Sequence, residues 1–396
     1  MKINNRIIAL SGEPVSGKSA VTKRLVDKLQ EIGYSQENIH IISTGNQFRH
    51  FFEKIISFIA NIGDEEIIKE LARDPQMQQI LNNQEYREAL ATTIARVQKQ
   101  NIDLEGLKNI SQANNNRVFL EIRSAIDSII DNETRRMGKE INEKERKDEI
   151  WIFDSRVAFS MVPEAFSVRL TTNPREAARR VFNDKSRGAE DKYETLEQAE
   201  KAREERRLGE IKRYKAIYGV DLSDEGNYDL IIDTAYASVE DEADVILACE
   251  EEYKDGRHFG KHWASPLTML PTQPYTTTYR DLKYFTDEIR KNGCDPSDEI
   301  ETFKIDGINF ISDGHHRNFG SIQAGKTLIP YRDCKENNIH ICEDRFLWDH
   351  EPLIEEALRE QKGDETVVFS YNDIYPGISK KIRQIQNILH NEDGDR

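Results

Sequence analysis

The chain has 396 residues, enough for two or three domains, and its 37% hydrophobic and 32% charged content implies a heavily solvated surface. A formal net charge of −16 argues against wholesale coating of nucleic acid or anionic membrane, leaving room only for a local basic site. No apolar run approaches the ~20 residues that span a bilayer, and "MKINNRIIAL" carries no signal-peptide pattern. Cys249, Cys294, Cys334 and Cys342 are scattered without a C-x-x-C pair. A cytoplasmic chain with neither disulfides nor structural zinc is therefore expected.

In chain order, residues 6–10 read as a buried strand, and 18–32 as a helix with Ala20, Val21, Leu25, Leu29 and Ile32 on one stripe. A second strand is expected at 38–44. Residues 47–147 are almost wholly helical in pattern, broken near Gly63-Asp64, Asp74-Pro75 and 114–116. Further strands are expected at 148–156, 166–172 and 228–234, with helices between them, which is the alternation of a parallel sheet. A helix at 238–252 leads into "YKDGRHFGKHW", 253–263, whose glycine and charge read as a linker. Beyond it the pattern gives a helix near 278–291, a strand–turn–strand through "ETFKIDGINFISDG", a helix at 316–324 and a strand at "TLIPYRD". Residues 335–384 are unassigned and expected to complete or pack on this second domain, and 385–396 form a polar tail.

Gly12 through Ser19, "GEPVSGKS", fits G-x-x-x-x-G-K-S between a strand and a helix, the context that motif requires. Backbone amides and a helix N-terminus there suit the phosphates of ATP. The expected contacts are Gly12, Glu13, Pro14, Val15, Ser16, Gly17, Lys18, Ser19 and Ala20, with Lys18 on the β- and γ-phosphates and Ser19 on Mg²⁺. Val15 stands where many nucleotide kinases have a small residue. Residues 175–215 hold 13 Lys or Arg against 10 Asp or Glu, a local excess of positive charge fit for a lid over phosphate.

"STGNQFR" (43–49), "FDSR" (153–156) and "EERRLGEIKRYKAIYGVDLSDEGNYDLIIDT" (204–234) follow in order. Together with the phosphate loop they resemble the cytidylate kinase family over most of 5–250. The resemblance implies a P-loop three-layer α/β fold and transfer of the ATP γ-phosphate to a nucleoside monophosphate. It implies that Arg49 and Arg156 grip the acceptor phosphate, and that Asp154 holds the acceptor or orients Arg156, with Ser43 nearby. Arg203, Arg206 and Arg213 would belong to the lid. One departure stands out: about 100 residues separate "STGNQFR" from "FDSR", with extra helical material near 64–115. The acceptor therefore stays open.

"FISDGHHRNFGSIQAGKTLIPY" (310–331), with "PLTMLPTQ" upstream, is similar to the ParB N-terminal/sulfiredoxin superfamily over about 264–334. That likeness implies an α+β domain in which Asp313, Gly314, His315, His316 and Arg317 form a second nucleotide-phosphate site. The leading expectation is a Mg²⁺-dependent phosphotransferase in 1–252. The alternatives are a nucleotide-controlled regulatory protein, or a bifunctional chain with a second, serine-like small-molecule kinase site. A nucleotide and a small phosphate acceptor are the expected partners, with DNA disfavoured because no basic reading helix is present.

Overall fold

The computed structural model describes residues 6–13, 15–59, 62–100, 116–143, 148–183, 193–272, 279–334, 345–362, 367–378 and 380–382. The chain forms a mixed α/β architecture, with ten strands among the described residues and most strand pairings parallel. It divides into two compact units. The first takes the described residues of 1–12, 29–167 and 178–227, and the second those of 13–28, 168–177 and 228–396. Helices α1 (Lys18–Glu31) and α8 (Pro174–Asn183) have residues in both.

In the first unit, β1 (Arg6–Gly12), β2 (Ile39–Ser43) and β3 (Ile150–Asp154) pair in parallel in the order β2-β3-β1. The near-continuous apolar run Ile7–Leu10 is buried along its length, as a strand covered on both faces must be. The register sets Ser43 opposite Asp154 at the carboxyl ends. Helix α2 (Thr44–Phe58) starts at that edge and runs into a helical assembly with α3 (Asp64–Arg73), α4 (Pro75–Leu81), α5 (Gln84–Gln98) and α6 (Arg117–Glu143). Local signals set these boundaries. Three acids fill the first turn of α3, Pro75 opens α4, and the Asn83 side chain caps α5 by accepting from the Glu85 amide.

These five helices share a core that includes Phe51, Phe52, Ile55, Leu71, Leu90, Phe119 and Ile126. The extra helical material thus folds around its own apolar centre; its residues 101–115 lie outside the described set. After β3 come α7 (Ala158–Met161) and, later, α9 (Leu196–Tyr218), capped by Thr195 and closed by Gly219 at φ 69°.

The second unit contains β4 (Phe166–Thr171) from Val168 onward, β5 (Leu230–Asp233), β6 (His262–Ala264), β7 (Met269–Leu270), β8 (Ile300–Ile305), β9 (Ile308–Asp313) and β10 (Ile329–Asp333). Their order is β4-β5-β6-β10-β8-β9-β7. Strands β4, β5 and β6 are parallel; β10 is antiparallel to β6 and parallel to β8. Asp306 and Gly307, both at positive φ, turn β8 into antiparallel β9, the hairpin expected from "KIDGIN". Helices α10 (Val239–Asp255), α11 (Tyr279–Asn292), α12 (His315–Gln323), α13 (Arg345–Lys362) and α14 (Tyr371–Ile374) complete the unit. Ile354, Ala357, Phe369 and Tyr371 share a core with Phe303, Phe310 and Phe319, so the described part of the unassigned 335–384 packs on the hairpin and α12.

One expectation is corrected. The stretch 253–263 is not a linker: α10 runs to Asp255, and His262 and Trp263 enter β6, paired to β5 on one side and to β10 on the other. Trp263 is 2% exposed and donates its indole N–H to the Gly260 carbonyl at 2.9 Å. The division between units accordingly does not fall near 255. Among the described residues, no helix is long and apolar enough to cross a membrane.

Candidate functional site

Residues 13–17 lead from β1 into α1. Val15 has φ 71° and Gly17 has φ 86°. A β-branched residue in the left-handed region is strained and persists only where its surroundings over-determine it. Here the surroundings are explicit. The Glu13 amide donates to the Leu170 carbonyl at 3.1 Å, and the Ser16 amide to the Glu13 carbonyl at 3.1 Å. The Glu13 carboxylate pairs with Arg169 at 3.0 Å, and that guanidinium lies 5.5 Å from the centre of the Tyr228 ring. The Thr234 hydroxyl lies 3.0 Å from the Ser16 carbonyl.

Ser16 is buried, and its hydroxyl has no hydrogen-bond partner among the described residues. The amides of Gly17 and Ser19 also meet no acceptor there. Lys18 is half-buried at the first position of α1, and Ser19 and Ala20 are exposed. Unmatched amides at a helix start, a lysine beside them and an exposed hydroxyl suit a polyphosphate with its divalent cation. Pro14 lies outside the described residues, and Gly12 ends β1. Among the described residues no group of three or more His, Cys, Asp or Glu is placed to hold a metal ion.

In the first unit, the Ser43 hydroxyl donates to Asp154 Oδ2 at 3.2 Å, joining two candidates at neighbouring strand ends. The Arg156 guanidinium is paired with Glu210 on α9. Burial opposes the Arg156 charge, yet Glu210 and Tyr214 outweigh it and hold the guanidinium above its ordinary pKa. Arg206 Nε lies 3.5 Å from the same Glu210 carboxylate. Arg213 stacks over the Tyr214 ring at 4.7 Å, and Arg203 is buried with Nη2 bonded to the Tyr193 hydroxyl at 3.0 Å. Arg49 is exposed on α2 and bonded to Asn46. The fold therefore brings Ser43 and Asp154 together, and gathers Arg156 and Arg206 on one carboxylate. Arg49 and Arg203 stand apart, held by Asn46 and Tyr193.

Sequence reasoning missed Glu210, Arg169 and a polar seam beside α9. Tyr218 donates to Asp131 Oδ2 at 2.5 Å and stacks on Tyr214, with ring centres 5.5 Å apart. Burial, with Asp131 beside it, pushes the Asp127 carboxyl up to about 7. The only hint in the sequence was the i,i+4 spacing of Asp127 and Asp131 on a helix whose partner was unknown.

In the second unit, Gly314 caps α12 at φ 95°. Arg317 is committed to Asp298, to the Glu299 carbonyl at 3.1 Å and to Asp313 at 3.1 Å. His315 is buried, and its Nε2 accepts from the Thr272 amide at 3.2 Å. His316 is half-buried, its ring 6.5 Å from that of Phe285. In this structure Arg317 therefore holds two carboxylates and a backbone carbonyl.

Burial pushes the His315 imidazole down to about 4, only partly offset by Asp313. A histidine lowered in the folded state leaves the unfolded chain binding more protons between the two pKa values. Its stabilisation is therefore complete above about 6.5 and lost as pH falls towards 4. The gap corresponds to roughly 3 kcal/mol. Asp127, raised, acts in the opposite sense over a similar range, so wild type must be compared with His315→Gln. Urea unfolding from pH 7 to 4 should show a steeper loss in wild type; equal slopes would refute the buried neutral imidazole.

No family model matches the chain, and no curated protein matches it either. Among solved structures, the chain is similar to the crystal structure of an uncharacterized protein from Eubacterium ventriosum. The two are 15% identical, the match covers 64% of this chain and 100% of that one, and the TM-score is 0.32. That score carries no argument about fold or function. The resemblances to the cytidylate kinase and ParB/sulfiredoxin families rest on the quoted residues alone.

Proposed function

We propose that the chain is an ATP- and Mg²⁺-dependent phosphotransferase that passes the γ-phosphate to a nucleoside monophosphate or a similar small acceptor. The observation that carries this is the braced 13–17 turn, with unmatched Gly17 and Ser19 amides beside Lys18 at the start of α1. In this reading the amides and the helix N-terminus receive the phosphate oxygens, and the Lys18 ammonium offsets charge on the β- and γ-phosphates. Ser19 would hold the Mg²⁺, which when bound neutralises charge shared between those phosphates. Asp154 and Ser43 would orient the acceptor, and Arg156 would take its phosphate. Positioning and charge neutralisation suffice for this chemistry, so no side-chain acid–base pair is needed.

The test is incubation with γ-labelled ATP and a panel of nucleoside monophosphates and serine. Labelled nucleoside diphosphate is the expected product. Phosphoserine alone, or slow hydrolysis with no acceptor used, would overturn the assignment in favour of a serine-like kinase or a nucleotide-controlled regulator.

Glu210 supplies a further prediction. Its carboxylate holds Arg156 and approaches Arg206, so it competes with an acceptor phosphate for the same guanidinium groups. Glu210→Gln should lower KM for the acceptor about threefold or more with little change in kcat, measured under saturating ATP. A raised KM would mean that Glu210 positions Arg156 rather than competing for it.

A further inference from the structure

Thr234 follows β5 directly and is fully buried. Its backbone N–H donates to the Thr171 carbonyl at 2.8 Å, while its hydroxyl oxygen lies 3.0 Å from both the Thr171 and the Ser16 carbonyls. A hydroxyl has one proton to give. The Thr171 carbonyl is already served by the Thr234 amide, so the proton is best spent on Ser16, where burial leaves water little access. A trans peptide is planar, with its C=O and N–H pointing in opposite directions. Holding the Ser16 carbonyl towards Thr234 therefore turns the Gly17 N–H, which belongs to the same peptide unit, away from Thr234. That amide meets no acceptor among the described residues.

We infer that Thr234 is a positioning residue for this turn: its hydroxyl fixes the Ser16–Gly17 peptide so that the Gly17 amide is presented to an anionic phosphate of a nucleoside triphosphate. The inference rests on the nucleotide-binding reading above and adds to it the group that aims one donor. The left-handed φ at Val15 is strained for a β-branched residue and persists only where its surroundings hold it, and the Thr234 hydroxyl supplies one such contact. The Glu13–Arg169 pair fixes the entrance of the turn, and Thr234 fixes its exit.

The experiment compares wild type, Lys18→Ala, Thr234→Val, Thr234→Ala and Thr234→Ser for binding of a fluorescent ATP analogue, for displacement of that analogue by inorganic pyrophosphate, and for thermal unfolding. Thr234→Val keeps the side chain's shape and loses the donor. It should weaken both the analogue and pyrophosphate about tenfold, the loss of one well-aimed donor to a charged group. Thr234→Ser should restore binding to within about twofold of wild type, by the same arithmetic. Wild-type affinity in Thr234→Val, or no rescue by Thr234→Ser, overturns the inference. So does failure of both the Val and Ala variants to fold, since the hydroxyl would then hold the fold rather than the turn. If wild type does not bind the analogue, or Lys18→Ala binds it equally well, the nucleotide reading itself has failed, and the inference falls with it.

Discussion

Lys18→Ala should lose ATP-dependent phosphoryl transfer by about 10³-fold or more while melting within a few degrees of wild type. The first half follows from charge. The γ-phosphoryl group carries its charge on oxygen throughout transfer, and a cation held beside it in a partly enclosed site acts on the transition state without reorganising. Removing one neutral donor from such a site typically costs about 10²–10³ in rate, and a full positive charge sets the upper end. The second half follows from position. Lys18 opens α1, is only half-buried, and its carbonyl accepts from the Thr22 hydroxyl at 3.0 Å, a bond that alanine retains. Alanine also favours the helix. Kinetics with the best acceptor from the monophosphate panel, alongside calorimetry, separates the two effects. Full activity in the variant would remove the 12–20 segment from the active site.

Gly314→Ala should destabilise the second unit by about 3 kcal/mol or more, from two independent costs. At φ 95° any side chain pays the left-handed penalty of about 1–2 kcal/mol. An added Cβ would also sit 2.5 Å from Cγ2 and 2.9 Å from Cβ of Ile300, a fully buried residue of β8. Overpacking of that kind costs about 1–3 kcal/mol. The costs can be separated by pairing Gly314→Ala with Ile300→Ala. The second change removes the closest clashing methyl and leaves the Cβ contact and the backbone strain, so the double variant should be more stable than the sum of the singles predicts. Additive losses in urea unfolding would show that the backbone angle alone matters.

Much of this architecture was legible because it is local. The runs that became β1, β2, β3, β4 and β5 are apolar and strand-length, and Asp306-Gly307 announces its hairpin. Ser238, whose side chain accepts from the Asp241 amide, marks the start of α10. Strand β6 was not legible. It has three residues in a stretch rich in glycine and charge, and it exists because β5 and β10 flank it, which no local pattern reveals.

The candidate site divides in the same way. The 12–19 spacing is visible in any reading of the chain. The bond from Thr234 to Ser16 spans 218 positions, and the Glu210 carboxylate on α9 meets Arg156 in the turn after β3. The string "DGHHR" is likewise visible locally, but the partners that Arg317 takes, Asp298 and the Glu299 carbonyl, come from another segment beside the β8–β9 hairpin, which no local pattern reveals.

The three-residue strand β6 also bears on how this protein can be divided by hand. The sequence invites a cut at 255, which would keep the phosphate turn, the acceptor candidates and the whole of α10. Such a cut would strip away the chain that Ile231 and Ile232 now face in His262 and Trp263, leaving the β5 edge bare. An unpaired apolar edge is a template for any passing strand. A fragment ending at 255 would therefore tend to self-associate. In the intact chain the residues after 255 act as the sheet's own stopper at the β5 edge.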